Sequence, residues 1–219
     1  TSTAATTFTV AVTDIDEANV VAPSDSNGDT NTMAENVAND ATVGLTAVAT
    51  DADGTTNVIS YTVTAQSCTS VFAVGSSTGI VTVADNSAID YETAQTCTVA
   101  VTATSTDTST AVTTFTVAVT DIDEFNVGSV TDSNSGTNTM AENVANAATV
   151  GVTAVATDAD GTTNTITYTV TAQSCANVFT VGSSTGIVAV ADNTAIDYET
   201  ATTCTVAVTA TSADTSTSV

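Results

Sequence analysis

Sixteen of the 24 acidic residues stand at matching offsets in two copies of one repeat, and the chain has no Lys, Arg or His to pair with them. They are Glu35 and Glu142; Asp51 with Asp53 and Asp158 with Asp160; Asp90 with Glu92 and Asp197 with Glu199; and Asp14, Asp16 and Glu17 against Asp121, Asp123 and Glu124. Carboxylates fixed in this way without counter-charges call for a hard cation. Two carboxylates about 5 Å apart repel by roughly 3 kcal/mol at an effective dielectric of 20, so positive charge must come from solution. Calcium takes about six to eight oxygen ligands in adaptable geometry, whereas magnesium keeps its waters and softer metals want thiolate or imidazole. Of the other eight acids, Asp25, Asp29, Asp40, Asp85, Asp132 and Asp192 read as turn-shaping and solubilising residues.

The missing residue types exclude whole classes of function. A net charge of −24 with no cationic side chain leaves nothing to neutralise phosphate, so nucleic-acid binding and attraction to anionic lipid are not expected. Without His there is no Ser-His-Asp triad and no His-ligated zinc; without Lys there is no Schiff base or lysine-derived crosslink. The acidic pairs lie in repeated turns and signal no pocket, so the chain is not expected to be an enzyme. No apolar run approaches the roughly 20 residues of a membrane span. The chain opens on Thr1 without a signal-peptide pattern and reads as a mature polypeptide or a piece of one.

The elements that hold these acids come from a repeat of 107 residues. Residues 34–107 match 141–214 with 11 differences in 74 positions, and residues 1–17 match 108–124 except for Ala5 against Val112. Each copy reads as short alternating strands between Gly, Asn and Asp turns. In 113–120 Phe115, Val117 and Val119 share one face while Thr114, Thr116, Ala118 and Thr120 share the other, a period of two. Ile59, Tyr61 and Val63 repeat the pattern, as do Cys97, Val99, Val101 and Ala103. Further strands are expected near 32–37, 43–49, 71–74 and 80–84, and the polar stretches 22–32 and 129–139 as loops. About seven short strands per copy predict an all-β protein of tandem seven-stranded Greek-key β-sandwiches.

Cys68 and Cys97 in one copy and Cys175 and Cys204 in the other are spaced alike, which predicts one disulfide per copy and an oxidising, extracellular compartment. In a seven-stranded sandwich the third and sixth strands are antiparallel neighbours, so the end of one lies beside the start of the other, where a bridge is easy. The alternative is four buried free thiols.

Residues 18–124 form the first repeat and 125–219 the second, whose seventh strand is lacking; residues 1–17 carry a seventh strand and linker of their own. Two explanations fit this framing. The chain is a window on a longer array, or residues 1–12 complete the second repeat of a neighbouring subunit by strand donation.

These motifs resemble the cadherin repeat, in the family's order and over the whole chain. A Glu-Asn step closes the first strand at 35–36 and 142–143, and Ala-Thr-Asp-Ala-Asp-Gly follows the second at 49–54 and 156–161. Ser-Thr-Gly-Ile-Val then precedes Ile-Asp-Tyr-Glu at 89–92 and 196–199, and Asp-Ile-Asp-Glu closes the unit. The likeness is strongest to cadherin-type repeats of large bacterial surface and secreted proteins. It implies calcium between successive repeats. The upper repeat would supply Glu35, Asp90 and Glu92, the linker Asp121, Asp123 and Glu124, and the lower repeat Asp158 and Asp160. A second set would be Asp14, Asp16 and Glu17 with Asp51 and Asp53, and Glu142, Asp197 and Glu199 would await a further linker. The linker departs from the family's Asp-x-Asn-Asp-Asn and lacks its proline. Ser105 and Ser212 stand where the family often has an acid, with Asp107 and Asp214 two residues later. The expected role is a calcium-rigidified extracellular filament or adhesin stalk, partnered end to end by its own copies or adjacent repeats. The alternative is a cell-adhesion module recognising carbohydrate or protein.

Overall fold

A computed structural model describes all residues, 1–219, and the chain divides into two compact units, Thr1–Ile122 and Asp123–Val219. In the first unit, β1 (Ser24–Asp25), β2 (Thr32–Ala34), β3 (Thr42–Val48), β4 (Ile59–Gln66), β5 (Phe72–Val74), β6 (Ile80–Val83), β7 (Thr96–Ser105) and β8 (Thr110–Thr120) form two four-stranded sheets. Their orders are β1-β3-β6-β5 and β2-β8-β7-β4. The period-two segments pack as their patterns require: Cys97, Val99, Val101 and Ala103 of β7 and Val117 of β8 are fully buried, against Val43, Leu45, Val81 and Val83 of the facing sheet.

Eight strands stand where about seven were expected, because the first strand is split between the sheets. β1 pairs antiparallel with β3, while β2 runs parallel to β8 with Met33 beside Val119. The stretch 22–32 is therefore not wholly a loop. The Asp25 carboxylate accepts the Asn27 and Thr46 N–H groups at 3.0 and 3.1 Å, and this tethers a two-residue strand with no hydrophobic period.

The second unit contains β9 (Thr131–Asp132), β10 (Thr149–Val155), β11 (Thr167–Gln173), β12 (Phe179–Val181), β13 (Ile187–Val190), β14 (Val206–Thr211) and β15 (Thr217–Ser218). One sheet is ordered β12-β13-β10-β9 and the other is the three-stranded β11-β14-β15. A short 3-10 turn at Asn193–Ala195 is the only helical element, with Asp192 accepting the Thr194 N–H at its start. The stretch 129–139, expected as a loop, contributes β9.

Both disulfides form as the spacing predicts, Cys68 to Cys97 and Cys175 to Cys204, each with Cα atoms 5.5 Å apart. β4 and β7 are antiparallel neighbours, so the residues following β4 lie beside the start of β7.

Gly79 sits in the β5–β6 turn at φ +69, and an added Cβ would collide with the Ala47 carbonyl of β3. Ala47 in turn donates its N–H to the Gly79 carbonyl at 2.9 Å, so the two backbones cannot separate cheaply. Gly186 repeats the arrangement against Ala154. Gly79→Ala is expected to cost about 2 kcal/mol or more in chemical denaturation, from left-handed strain and a backbone clash together.

Candidate metal centre

The loop 49–57 that carries Asp51 and Asp53 is pinned from three sides. The Ala49 N–H donates to the Tyr61 hydroxyl at 2.9 Å, and Tyr61 is itself buried on β4. Asn57 Nδ2 donates to the Asp53 carbonyl at 2.9 Å, and the buried Ser105 hydroxyl donates to the Thr56 carbonyl at 2.6 Å. Ser105, which replaces an acid of the family pattern, thus braces the loop from the end of β7. The second unit repeats every brace: Ala156 on Tyr168, Asn164 on the Asp160 carbonyl and Ser212 on the Thr163 carbonyl.

Against this loop lies the acidic segment 14–17. Asp53, 4 % exposed, accepts the Glu17 and Ala18 N–H groups at 3.4 and 3.1 Å. Asp14 accepts from the Thr55 hydroxyl at 2.6 Å. Carboxylate oxygens of Asp14, Glu17 and Asp53 converge within 4.8 Å of one another, and so do those of Asp16, Asp53 and Asp107. Asp107, whose part the sequence left open, therefore joins the set. Asp51 caps the loop by accepting the Asp53 N–H at 3.2 Å, while its Oδ2 is buried with no hydrogen-bond partner.

Crowding alters the acidity of the group. The hydrogen bond between the Asp16 and Asp53 carboxyls pushes Asp16 up to about 6, assisted by desolvation and by Asp107 and Asp51, and holds Asp53 below the usual carboxylate range. In the second unit Asp123 is likewise pushed up to about 6, first by its hydrogen bond to Asp160 and then by desolvation, Asp214, Asp160 and Asp158. Asp160 is 1 % exposed, and its Oδ1 and the Asp158 Oδ2 are buried with no hydrogen-bond partner.

The opposite end of the first unit gathers a different set. Buried Glu35 follows β2 and accepts the Tyr91 N–H at 2.8 Å and the Ile122 N–H at 2.6 Å. Its carboxylate converges with those of Glu92 and Asp121 to within 4.8 Å. Asp90 is turned instead onto Thr93, accepting from its hydroxyl at 2.8 Å, and that bond holds it below the usual carboxylate range. In the second unit Glu142, Asp197 and Glu199 converge without a linker, all three exposed. Asp197 is held low by the Thr200 hydroxyl. Glu124 lies exposed in the second unit.

The donor chemistry fits a hard divalent cation. The converging groups are all oxygens, the sulfurs are committed to disulfides, and the buried Asp51 Oδ2, Asp158 Oδ2 and Asp160 Oδ1 have no proton donor.

A pH dependence follows from these shifts. Asp16 and Asp123 favour the protonated form when folded, so their contribution is fully present below 3.8 and lost as the pH rises through about 6. Asp53, Asp85, Asp90, Asp132, Asp192 and Asp197 are held low, so theirs is present above 3.8 and lost on further acidification. In chelator, the melting temperature is expected to be highest a little above pH 3.8 and to fall through 6. Calcium should remove that fall, as scanning calorimetry at stepped pH would register.

Residues 30–120 match the family model of the cadherin domain. A sequence search of curated proteins finds no match. Similar solved structures include cadherin domains 3-6 of protocadherin gamma B2, at 20 % identity and TM-score 0.68 over 94 % of this chain and 51 % of that one. The protocadherin gammaB7 EC3-6 cis-dimer structure aligns at 21 % identity and TM-score 0.71, over 94 % of this chain and 50 % of that one. Mouse cadherin-23 EC22-24 aligns at 21 % identity and TM-score 0.56, over 81 % and 55 %. The chain spans about half the length of these structures. Residues 30–120 thus match the cadherin domain, and the chain has the β-sandwich fold of cadherin ectodomains; no helix is long and apolar enough to cross a membrane.

Proposed function

Proceeding from two cadherin-like repeats, we propose that the chain is part of an extracellular, calcium-stiffened array that serves as a structural filament or adhesin stalk. The observation that carries this reading is geometric: carboxylate oxygens of Asp14, Glu17 and Asp53 and of Asp16, Asp53 and Asp107 converge beside the buried, donorless Asp51 Oδ2 in the first unit, and Asp158 Oδ2 and Asp160 Oδ1 are buried without donors in the second. Asp16, Asp51, Asp53 and Asp107, with Asp14 and Glu17, would hold ions in the first unit, and Asp123, Asp158, Asp160 and Asp214 in the second. Glu35, Asp90, Glu92 and Asp121 would hold ions at the opposite end of the first unit, and Glu124 would join the second unit's set. Bound calcium supplies the positive charge that the chain lacks. The backbone N–H groups that fix the Glu35 and Asp53 carboxylates would hold them in place to ligate it.

Repeats joined in this way add their stabilities approximately unit by junction. The partner is then a neighbouring repeat or another copy, end to end. The gammaB7 protocadherin was solved as a cis-dimer, and side-by-side pairing would suit an adhesion role here too. Calorimetric melting in calcium and in chelator tests the reading. Saturation at about 1,000 times Kd stabilises by about 4 kcal/mol per site, so melting should rise by at least 10 °C, roughly. Superimposable melts would remove calcium from the account.

A further inference from the structure

Asn27 and Gly28 form the one Asn-Gly pair of the chain, in the loop by which the split first strand crosses from β1 in one sheet to β2 in the other. The loop holds Asn27 in a defined turn. Its backbone N–H donates to Asp25 Oδ1 at 3.0 Å, and its side-chain Oδ1 accepts the Asp29 N–H at 2.8 Å. The second bond closes a ring around the Gly28 peptide, which keeps the side-chain amide beside the nitrogen of residue 28. It also sets a donor on the oxygen where negative charge develops when Cγ is attacked.

Nothing obstructs the reacting atoms. Gly28 is exposed, a Cβ added there would meet no atom within 4 Å, and its backbone is not left-handed. Neither the Gly28 N–H nor Asn27 Nδ2 donates to an acceptor in the protein. Asn86 differs, its Nδ2 being tied to the Val37 carbonyl at 2.8 Å. The second unit supplies a matched comparison. Asp132 Oδ1 accepts the Asn134 N–H at 3.0 Å and Asn134 Oδ1 accepts the Gly136 N–H at 2.8 Å, which is the same turn, but residue 135 is Ser. Glycine reaches unusual backbone conformations, such as ring closure needs, at less cost than a residue with a Cβ.

We propose that Asn27 is a site of spontaneous intramolecular deamidation, a slow covalent modification confined to the first unit. The Gly28 nitrogen loses its proton to solvent base and attacks Asn27 Cγ. The N–Cγ bond forms, the Cγ–Nδ2 bond breaks, and ammonia leaves after taking up a proton from the solvent, so that a cyclic succinimide remains. Water then opens the ring in one of two ways. Addition at Cγ breaks the new N–Cγ bond and leaves an aspartyl side chain. Addition at the main-chain carbonyl breaks the original peptide bond to Gly28 and leaves an isoaspartyl linkage, with the chain running through the former side chain. Either product adds a carboxylate to a loop that already carries Asp25 and Asp29, in a chain with no cationic side chain to offset it. The isoaspartyl form also turns the Oδ1 that anchors Asp29 into a main-chain carbonyl and lengthens the crossover between β1 and β2 by one carbon. This chemistry is independent of calcium, since the loop lies apart from the converging acids.

The test incubates the full 219-residue chain at mildly alkaline pH, cuts samples with an endoprotease that cleaves before aspartate, and weighs the peptides. Asn27 should convert at least about fivefold faster than Asn134, and faster as the pH rises. The aspartyl fraction should gain a cleavage before residue 27, and the isoaspartyl fraction should not. Gly28→Ala, which the open surroundings accommodate, should slow residue 27 to the rate of Asn134. Ser135→Gly should bring Asn134 up to the rate of Asn27. A synthetic peptide of residues 22–32 separates the turn from the sequence: the folded chain should convert at least as fast as the peptide. Asn27 left intact while the peptide converts would mean that the fold blocks the attack, and Asn134 keeping pace with Asn27 would mean that Gly28 does not direct it; either result overturns the inference.

Discussion

Asp53→Asn should lower stability in calcium but not in chelator. In calcium, the variant loses one charged oxygen at the centre of the first-unit set, where Asp53 is within 4.8 Å of carboxylates from Asp14, Glu17, Asp16 and Asp107. A charge-assisted contact of about 1.5–3 kcal/mol lost there lowers calcium affinity by roughly 10- to 150-fold. In chelator the same substitution relieves the Asp16–Asp53 pair and lets Asp16 ionise at a more ordinary pH. The amide oxygen of Asn can still accept an N–H from Glu17 or Ala18, so the loop keeps part of its anchor. The chelated variant should therefore melt no lower than the chelated parent at neutral pH. Asp160→Asn should behave alike, its partner being Asp123. A variant less stable in both conditions by the same amount would mean that Asp53 is only a turn-forming residue.

Replacing Cys68 and Cys97 together by Ser should cost about 3–4 kcal/mol, since the pair closes a loop of 29 residues in the unfolded chain. For a unit of about 100 residues that corresponds to a melting temperature lower by roughly 15 °C or more. The polar substitution adds to this, because Cys97 is fully buried against Val99 and Val117. The single Cys97→Ser variant should approach the double in cost. A Cys68→Ser variant, which leaves Cys97 as a buried free thiol, should come closest to the pure loop-closure effect. Calcium should offset part of the deficit, because its sites lie in other loops and both effects act on the same folded unit.

The strands that position the site were legible wherever side chains alternate. The Phe115, Val117 and Val119 face, the Cys97 to Ala103 face and the pairing of their strands all follow from period two. The disulfide then follows from Cys68 coming just after β4 and Cys97 lying at the start of β7. β1 was not legible, because two residues have no period and Ser24–Asp25 is held by the hydrogen bonds of Asp25 to Asn27 and Thr46. The splitting of the first strand was hidden for a related reason: parallel pairing of Met33 with Val119 depends on chain closure far along the sequence. Among the acids, repetition picked out the converging groups. It did not place Asp107, which reaches Asp16 and Asp53 only through the turn after β7, nor turn Asp90 away toward Thr93. Ser105 was read as a gap in an acidic pattern, and its burial makes it a brace of the loop that holds Asp53.

The account depends on divalent cations, rather than basic side chains, balancing these carboxylates. An experimental structure of the chain grown in excess calcium, with anomalous data collected to identify the ion, tests this most directly. The account predicts calcium density bounded by Asp16, Asp51, Asp53 and Asp107 and again by Asp123, Asp158, Asp160 and Asp214. A clear map with only water or a shared proton between those oxygens would contradict it.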